Sequence, residues 1–290
     1  MAEPFGVILI DKHEGVTSYR IIQILRKMFN TKKVGHTGTL DPEACGVLPV
    51  CVGKGTKLAG FITEANKEYK AVIRLGITTD TQDATGNILT ESEPNISFEE
   101  FSEAVSQLIG EIYQLPPMYS AIKINGKKLC NLARKGIEVE REPRKITVYN
   151  IEISDFNGET AVLDIKCSKG TYIRTVCHDI GQILGCGAVM QSLERTASGQ
   201  FKVTDSVTLE EFARSPEKYI VPPEELLQGY KAYYADSRQT ERFLNGCTVP
   251  ADEIEIGETY RVYSDKNKFL CLSTGVNPDN PCLKLKTAFF

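Results

Sequence analysis

The octet Gly35-His36-Thr37-Gly38-Thr39-Leu40-Asp41-Pro42 puts two glycines, a histidine, two hydroxyls and a carboxylate into one turn-prone loop. Glycine lets a backbone come close to a ligand. Pro42 biases Asp41 toward an extended conformation, which presents the carboxylate instead of folding it into a helix. A carboxylate displayed in this way can serve as nucleophile or general base. Asp-Pro also caps turns, so the octet alone leaves both readings open. A second candidate is Arg174, which follows Gly170 and falls in the first turn of a helix striped by Ile173, Val176, Ile180 and Leu184. A cation there opposes the helix dipole. A nearby carboxylate would balance it, although an exposed arginine fits equally well.

Short elements must hold these groups. Phe5 to Ile10 reads as an apolar strand ending at Asp11-Lys12, and Thr17 or Ser18 as the cap of a helix striped by Ile21, Leu25, Met28 and Phe29. Cys45 to Val52 is an apolar run suited to a buried strand. Glu68 to Leu75 alternates, which puts Tyr69 on the face of Ile73. Ser97 and Glu100 form a capping box ahead of a helix carrying Phe98, Phe101, Val105, Leu108 and Ile109. Ala161 to Cys167 alternates as a strand, and Thr171 can cap the helix that holds Arg174. Ser215 to Gly229 reads as a connector. Beyond it, Asn245-Gly246, Thr259 to Val262, Lys268 to Ser273 and Leu283 to Lys286 suit a small β-rich unit.

Composition narrows the classes. The chain has 290 residues, enough for one large domain and a small one. No apolar run is long enough to cross a bilayer, and the N-terminus lacks a signal-peptide pattern. Nine irregularly spaced cysteines read as reduced cytoplasmic thiols, and Cys177-His178 has no companions for zinc. Asp80 and Asp83 in Thr78–Gly86 mimic a calcium loop only loosely: the glycine is misplaced and no glutamate follows at the right spacing. With no Walker loop or dinucleotide fingerprint, no metal and no cofactor is expected. A formal net charge of −4 disfavours a protein that is basic throughout. Docking, however, depends on local charge. Ile122 to Lys145 concentrates Lys123, Lys127, Lys128, Arg134, Lys135, Arg141, Arg144 and Lys145. Gly126, Gly136 and Pro143 between them suit a mobile loop better than a helix face.

Taken in order, the octet, its continuation Glu43-Ala44-Cys45-Gly46-Val47-Leu48-Pro49, Glu68-Tyr69-Lys70 and Cys167-Ser168-Lys169-Gly170-Thr171-Tyr172-Ile173-Arg174-Thr175 resemble the TruB family of tRNA pseudouridine-55 synthases. The resemblance runs from about Gly6 to Thr196 and more weakly beyond. It implies an α+β fold, with a mixed, mostly antiparallel central sheet and flanking helices in residues 1–232. It also implies an RNA-binding insertion at about 116–145 and a small PUA-like, β-barrel-like domain in residues 233–290. Asp41 is then the nucleophile, Arg174 its ion-pair partner, and Tyr69 a pocket residue that helps in deprotonation. Tyr172 and Leu193 contact the base, and His36 fills the space that the base leaves. Lys12, Asp83, Lys123, Lys127 and Lys128 are RNA contacts. The implied partner is the T arm of tRNA, met by a cytoplasmic monomer without an obligate protein partner. One departure is Lys12-His13, where the family usually has Lys-Pro. Core aromatics, a packing leucine and a histidine bonded to its own loop remain the plainer readings of Tyr69, Tyr172, Leu193 and His36. A tRNA-binding or folding chaperone, a nucleoside glycosidase and a guide-RNA-dependent homologue are the competing functions.

Overall fold

A computed structural model describes residues 5–124 and 126–290. Its large sheet runs, strand by strand, Ile220–Val221, Gly6–Lys12, Ala44–Val52, Ala188–Ser198, Lys67–Leu75, Thr160–Cys167, Arg144–Phe156 and Gly110–Gln114. Neighbours on this path are antiparallel except Ala44–Val52 against Ala188–Ser198, which is parallel. Val34–His36 pairs with Ala44–Val52 and leads into the octet loop. A second, five-stranded sheet is ordered Lys231–Tyr234, Thr259–Tyr263, Phe269–Val276, Cys282–Ala288 and Val249–Pro250, and curls into a half-barrel. The α+β class expected from the sequence is therefore the class observed.

Strand alternation explains how the two sheets meet. Ile8 and Ile10 enter a core with the helices Ser18–Met28, Phe98–Ser106 and Ile173–Leu184. Val7 and Leu9, on the opposite face, enter a second core with Val47, Cys51, Phe201, Leu272 and Phe289. Burial on both faces is why Gly6–Lys12 and Ala44–Val52 read as nearly continuous apolar runs. Thr17 caps its helix by accepting from the Arg20 N–H, and Ser97 with Glu100 forms the full capping box.

Three local expectations are corrected. Thr171 does not cap the Arg174 helix; its hydroxyl donates to the Ser168 carbonyl at 3.0 Å. The N-cap position is Tyr172, whose backbone N–H and carbonyl are both taken by the buried Gln114 side chain, at 2.8 and 3.1 Å. Ser215–Gly229 is more than a connector, because Ile220–Val221 forms the edge strand beside Gly6–Lys12. The basic segment, expected as a loop and not a helix face, holds a short ribbon, Lys123–Ile124 antiparallel to Lys127–Lys128, and a helical turn, Leu129–Ala133. Leu129 is fully buried and ties that turn down.

Candidate active site

The octet loop is fixed through its backbone, which leaves the Asp41 carboxylate free. Ser18 Oγ donates to the Leu40 carbonyl and accepts from the Leu40 N–H, both at 2.9 Å. Thr37 N–H donates to the Pro49 carbonyl at 3.1 Å. Lys12 is fully buried, and its ammonium donates to the carbonyls of His13 and Pro42 at 2.9 Å and to that of Ala44. Burial lowers the Lys12 pKa, which the neighbouring Cys45, Glu43 and Asp41 partly oppose. The Ala44 N–H bonds the Asp41 carbonyl at 3.1 Å, so the turn uses the backbone of Asp41 and not its side chain.

That side chain meets Arg174. Arg174 Nε lies 3.0 Å from Asp41 Oδ2. Its Nη1 donates to the Thr81 carbonyl at 3.0 Å and lies 3.4 Å from Asp83 Oδ2; its Nη2 donates to the Tyr119 carbonyl at 2.8 Å. Arg174 is 4% exposed and Asp41 38%, so the guanidinium supports from behind while the carboxylate faces outward. Two carboxylates thus offset the unfavourable position at the helix start. Asp83 is itself bound: its Oδ1 accepts from Thr81 Oγ1 at 2.8 Å, Thr85 Oγ1 at 2.6 Å and Thr85 N–H at 3.1 Å. Burial raises the Asp41 pKa, Arg174 works against that rise, and the like charge of Asp83 adds to it.

The opposite wall comes from Lys67–Leu75 and Ala188–Ser198. Their register sets Leu193 against Ala71 and Arg195 against Tyr69. Directly opposed residues share a sheet face, so Leu193, Arg195 and Tyr69 look into one space. Burial raises the Tyr69 pKa, and Arg195 beside its hydroxyl opposes this. His36 is pushed toward neutral imidazole by burial, then by Arg195 and Lys128. Among the described residues its Nδ1 has no hydrogen-bond partner.

A cleft of about 1360 Å³ joins these groups. Asp41, Tyr69, Arg174, His36, Tyr172, Leu193 and Asp83 line it, as do Lys123, Lys127 and Lys128. Lys12 does not: its ammonium belongs to the loop's carbonyls, which leaves none of it for RNA. Asp83 reaches the cleft edge already engaged by Arg174, Thr81 and Thr85. Sequence reasoning missed Arg195 and Lys67, which also line the cleft. The signal for Arg195 was an arginine at an inward position between Leu193 and Ala197. Among the described residues no cluster of His, Cys, Asp and Glu could hold a metal ion, and no helix is long and apolar enough to cross a membrane.

The chain is similar to known proteins over most of its length. The model of the TruB family pseudouridylate synthase N-terminal domain matches residues 26–173, and that of the tRNA pseudouridylate synthase B C-terminal domain matches residues 174–253. A tRNA pseudouridine synthase B from Clostridium kluyveri is 43% identical, over 94% of this chain and 96% of its own. One from Alkaliphilus oremlandii is 45% identical, over 90% of each. Among solved structures, a chain of a Cbf5-Nop10-Gar1 complex superposes with a TM-score of 0.71 at 26% identity, over 99% of this chain and 85% of that one. Two family models in sequence, and relatives this similar over nearly their whole length, place the chain in the TruB family of pseudouridine synthases.

Proposed function

We propose that this protein converts the uridine at position 55, in the T loop of tRNA, to pseudouridine. The observation that carries the reading is the half-exposed Asp41 carboxylate, held from behind by a buried guanidinium and facing a cleft rimmed by lysines. The reaction breaks the bond from the base nitrogen to the sugar, turns the base, and joins its C5 carbon to the same sugar carbon. C5 then loses its proton and the base nitrogen freed from the sugar takes one up, so the product is an isomer of the starting uridine. Asp41 supplies the nucleophile, and Arg174 keeps it oriented through a planar fork. Tyr69 accepts the C5 proton. Leu193 and Tyr172 bound the base after it leaves its stack, which such chemistry requires. His36, pushed toward its neutral form by burial and with no partner for its Nδ1 among the described residues, fills the place vacated in the loop.

The same reading gives residues 1–232 the chemistry and the segment at about 116–145 the grip on phosphates, through Lys123, Lys127 and Lys128. Residues 233–290 act as a PUA-like accessory unit. The protein works as a cytoplasmic monomer on the T arm. Incubation of purified protein with an unmodified tRNA transcript, followed by pseudouridine mapping, tests this. One modified position in the T loop is expected, absent with Asp41→Asn. An unmodified transcript at excess enzyme, or modification elsewhere, overturns it.

A further inference from the structure

Arg195 is 1% exposed, yet no carboxylate lies within ion-pair distance of it among the described residues. Its Nε donates to the Val47 carbonyl at 2.8 Å and its Nη2 to the Gly38 carbonyl at 3.2 Å. These bonds satisfy donors but leave the charge unneutralised, and a buried charge without a counter-ion is costly. A packing role alone would be served better by leucine or methionine. The strand backbone departs from regularity at this position. Gly46, at φ +96°, pairs with it across the parallel strands, and a Cβ there would lie 2.3 Å from the Arg195 carbonyl oxygen. A break in register follows immediately, between Arg195 and Ala197. Such bulges re-aim side chains beside active sites.

The acidic group opposite Arg195 is the phenol of Tyr69. We propose that Arg195 is the positioning residue that makes Tyr69 competent to take the C5 proton, by stabilising its phenolate and by tying its strand to the Asp41 loop through Gly38. The inference rests on Tyr69 as the proton acceptor. In the step, the C5–H electron pair stays in the uracil ring, the proton goes to the Tyr69 oxygen, and the resulting phenol later releases it to solvent. The surrounding groups fit this. Lys67 is lowered to about 8, by burial first and Arg195 next, and His36 leans toward its neutral form. Cys167 is held as a thiol by burial, at about 11. Burial first, and Asp41 more weakly, disfavour the phenolate, and Arg195 is the group that favours it.

The test is single-turnover conversion of tRNA carrying hydrogen or deuterium at C5 of the target uridine. Arg195→Met is expected to slow conversion about 10²-fold, the size of a general-base contribution. RNA affinity is expected to hold, and a primary deuterium isotope effect to appear because proton removal has become limiting. Arg195→Lys keeps the charge, loses the fork, and is expected to fall between. Gly38→Ala puts a Cβ about 3.3 Å from Arg195 Nη1, displaces the guanidinium without removing it, and serves if Arg195→Met does not fold. A slowed variant with an isotope effect no larger than that of the unaltered protein would show mere structural support and overturn the inference, as would an unchanged rate. Tyr69→Phe separates the premise: full activity there removes Tyr69 as the acceptor, whereas a slow Tyr69→Phe beside a normal Arg195→Met removes only the role of Arg195.

Discussion

The octet loop and the basic ribbon face one cleft and are built in opposite ways. The loop around Asp41 is held through backbone atoms by Ser18, Lys12 and Arg195, each from a different element and each largely buried. The ribbon sets Lys123 directly opposite Lys128, its lysines are exposed, and its tether is the buried Leu129. Like charges face to face weaken a strand pair, and long lysine stems adapt easily. A nucleophile must be held to within a fraction of an ångström, whereas phosphates can be met by cations that move. Under the proposed function, rigid chemistry and compliant grip are divided between two segments far apart in sequence.

Substitutions can break that contrast, and the largest effect is expected from Asp41→Asn. Single-turnover conversion is expected to fall on the order of 10⁴-fold or more, as when a nucleophile is removed elsewhere. RNA affinity stays within about threefold, since the grip lies on other residues. Multiple turnover in a sample checked for deamidation would disprove the assignment. Next is Arg174→Lys, which keeps the charge but cannot reach Asp41, Asp83 and the Thr81 and Tyr119 carbonyls together. A loss of about 10²- to 10³-fold in rate is expected, with destabilisation of about 1–3 kcal/mol from buried groups left unpaired. Rate and denaturant midpoint measured together check this; near-normal turnover would reduce Arg174 to a simple counter-charge.

Neutralising Lys123, Lys127 and Lys128 together tests the other side. Affinity for tRNA is expected to drop, and its log–log dependence on salt to flatten by about two to three units. Conversion of RNA already bound should be nearly unchanged. A slope equal to that of the unaltered protein would mean that these lysines do not meet phosphates. The smallest effect concerns pH. Burial raises the Asp41 pKa and the ionised form reacts, so activity falls as pH drops through a midpoint above the ordinary aspartate value of about 3.9. Asp83→Asn removes a like charge that contributes to the rise, so the midpoint moves down. A midpoint that stays put or moves up in the single-turnover profile contradicts that electrostatic account.

What the sequence revealed follows the range of the forces involved. The conflict of Arg174 with its helix dipole is local and pointed to some carboxylate, but only the family resemblance named Asp41 as that carboxylate. The partners of Asp83 could not: Thr81 and Thr85 sit beside it in the chain, but Arg174 reaches it only through the fold. Lys12 was expected as an RNA contact from the family resemblance alone, with no residue nearby in sequence to suggest otherwise. The carbonyls of Pro42 and Ala44 that enclose it arrive from about thirty residues away. His13, standing where the family usually has proline, lends Lys12 only its carbonyl, which proline would offer equally. The Tyr172 cap escaped for the same reason, since Gln114 supplies it from a distant strand. Strand parity succeeded at Tyr69 because alternation is set by neighbouring residues alone.

The second core has a temporal side. Val7 and Leu9 share it with Leu272 and Phe289, and Lys57 donates to the Ala288 carbonyl, 231 residues along the chain. A ribosome delivers these partners in order. One face of an early strand therefore has only part of its cover, from Leu58 and Ile62, through most of synthesis, whereas the Ile8 and Ile10 face meets the Ser18–Met28 helix much sooner. Contacts this distant in sequence close slowly, and apolar surface left waiting is prone to wrong association. The half-barrel is thus a late lid on the nascent chain, and its loss would be felt first as poor yield of folded protein.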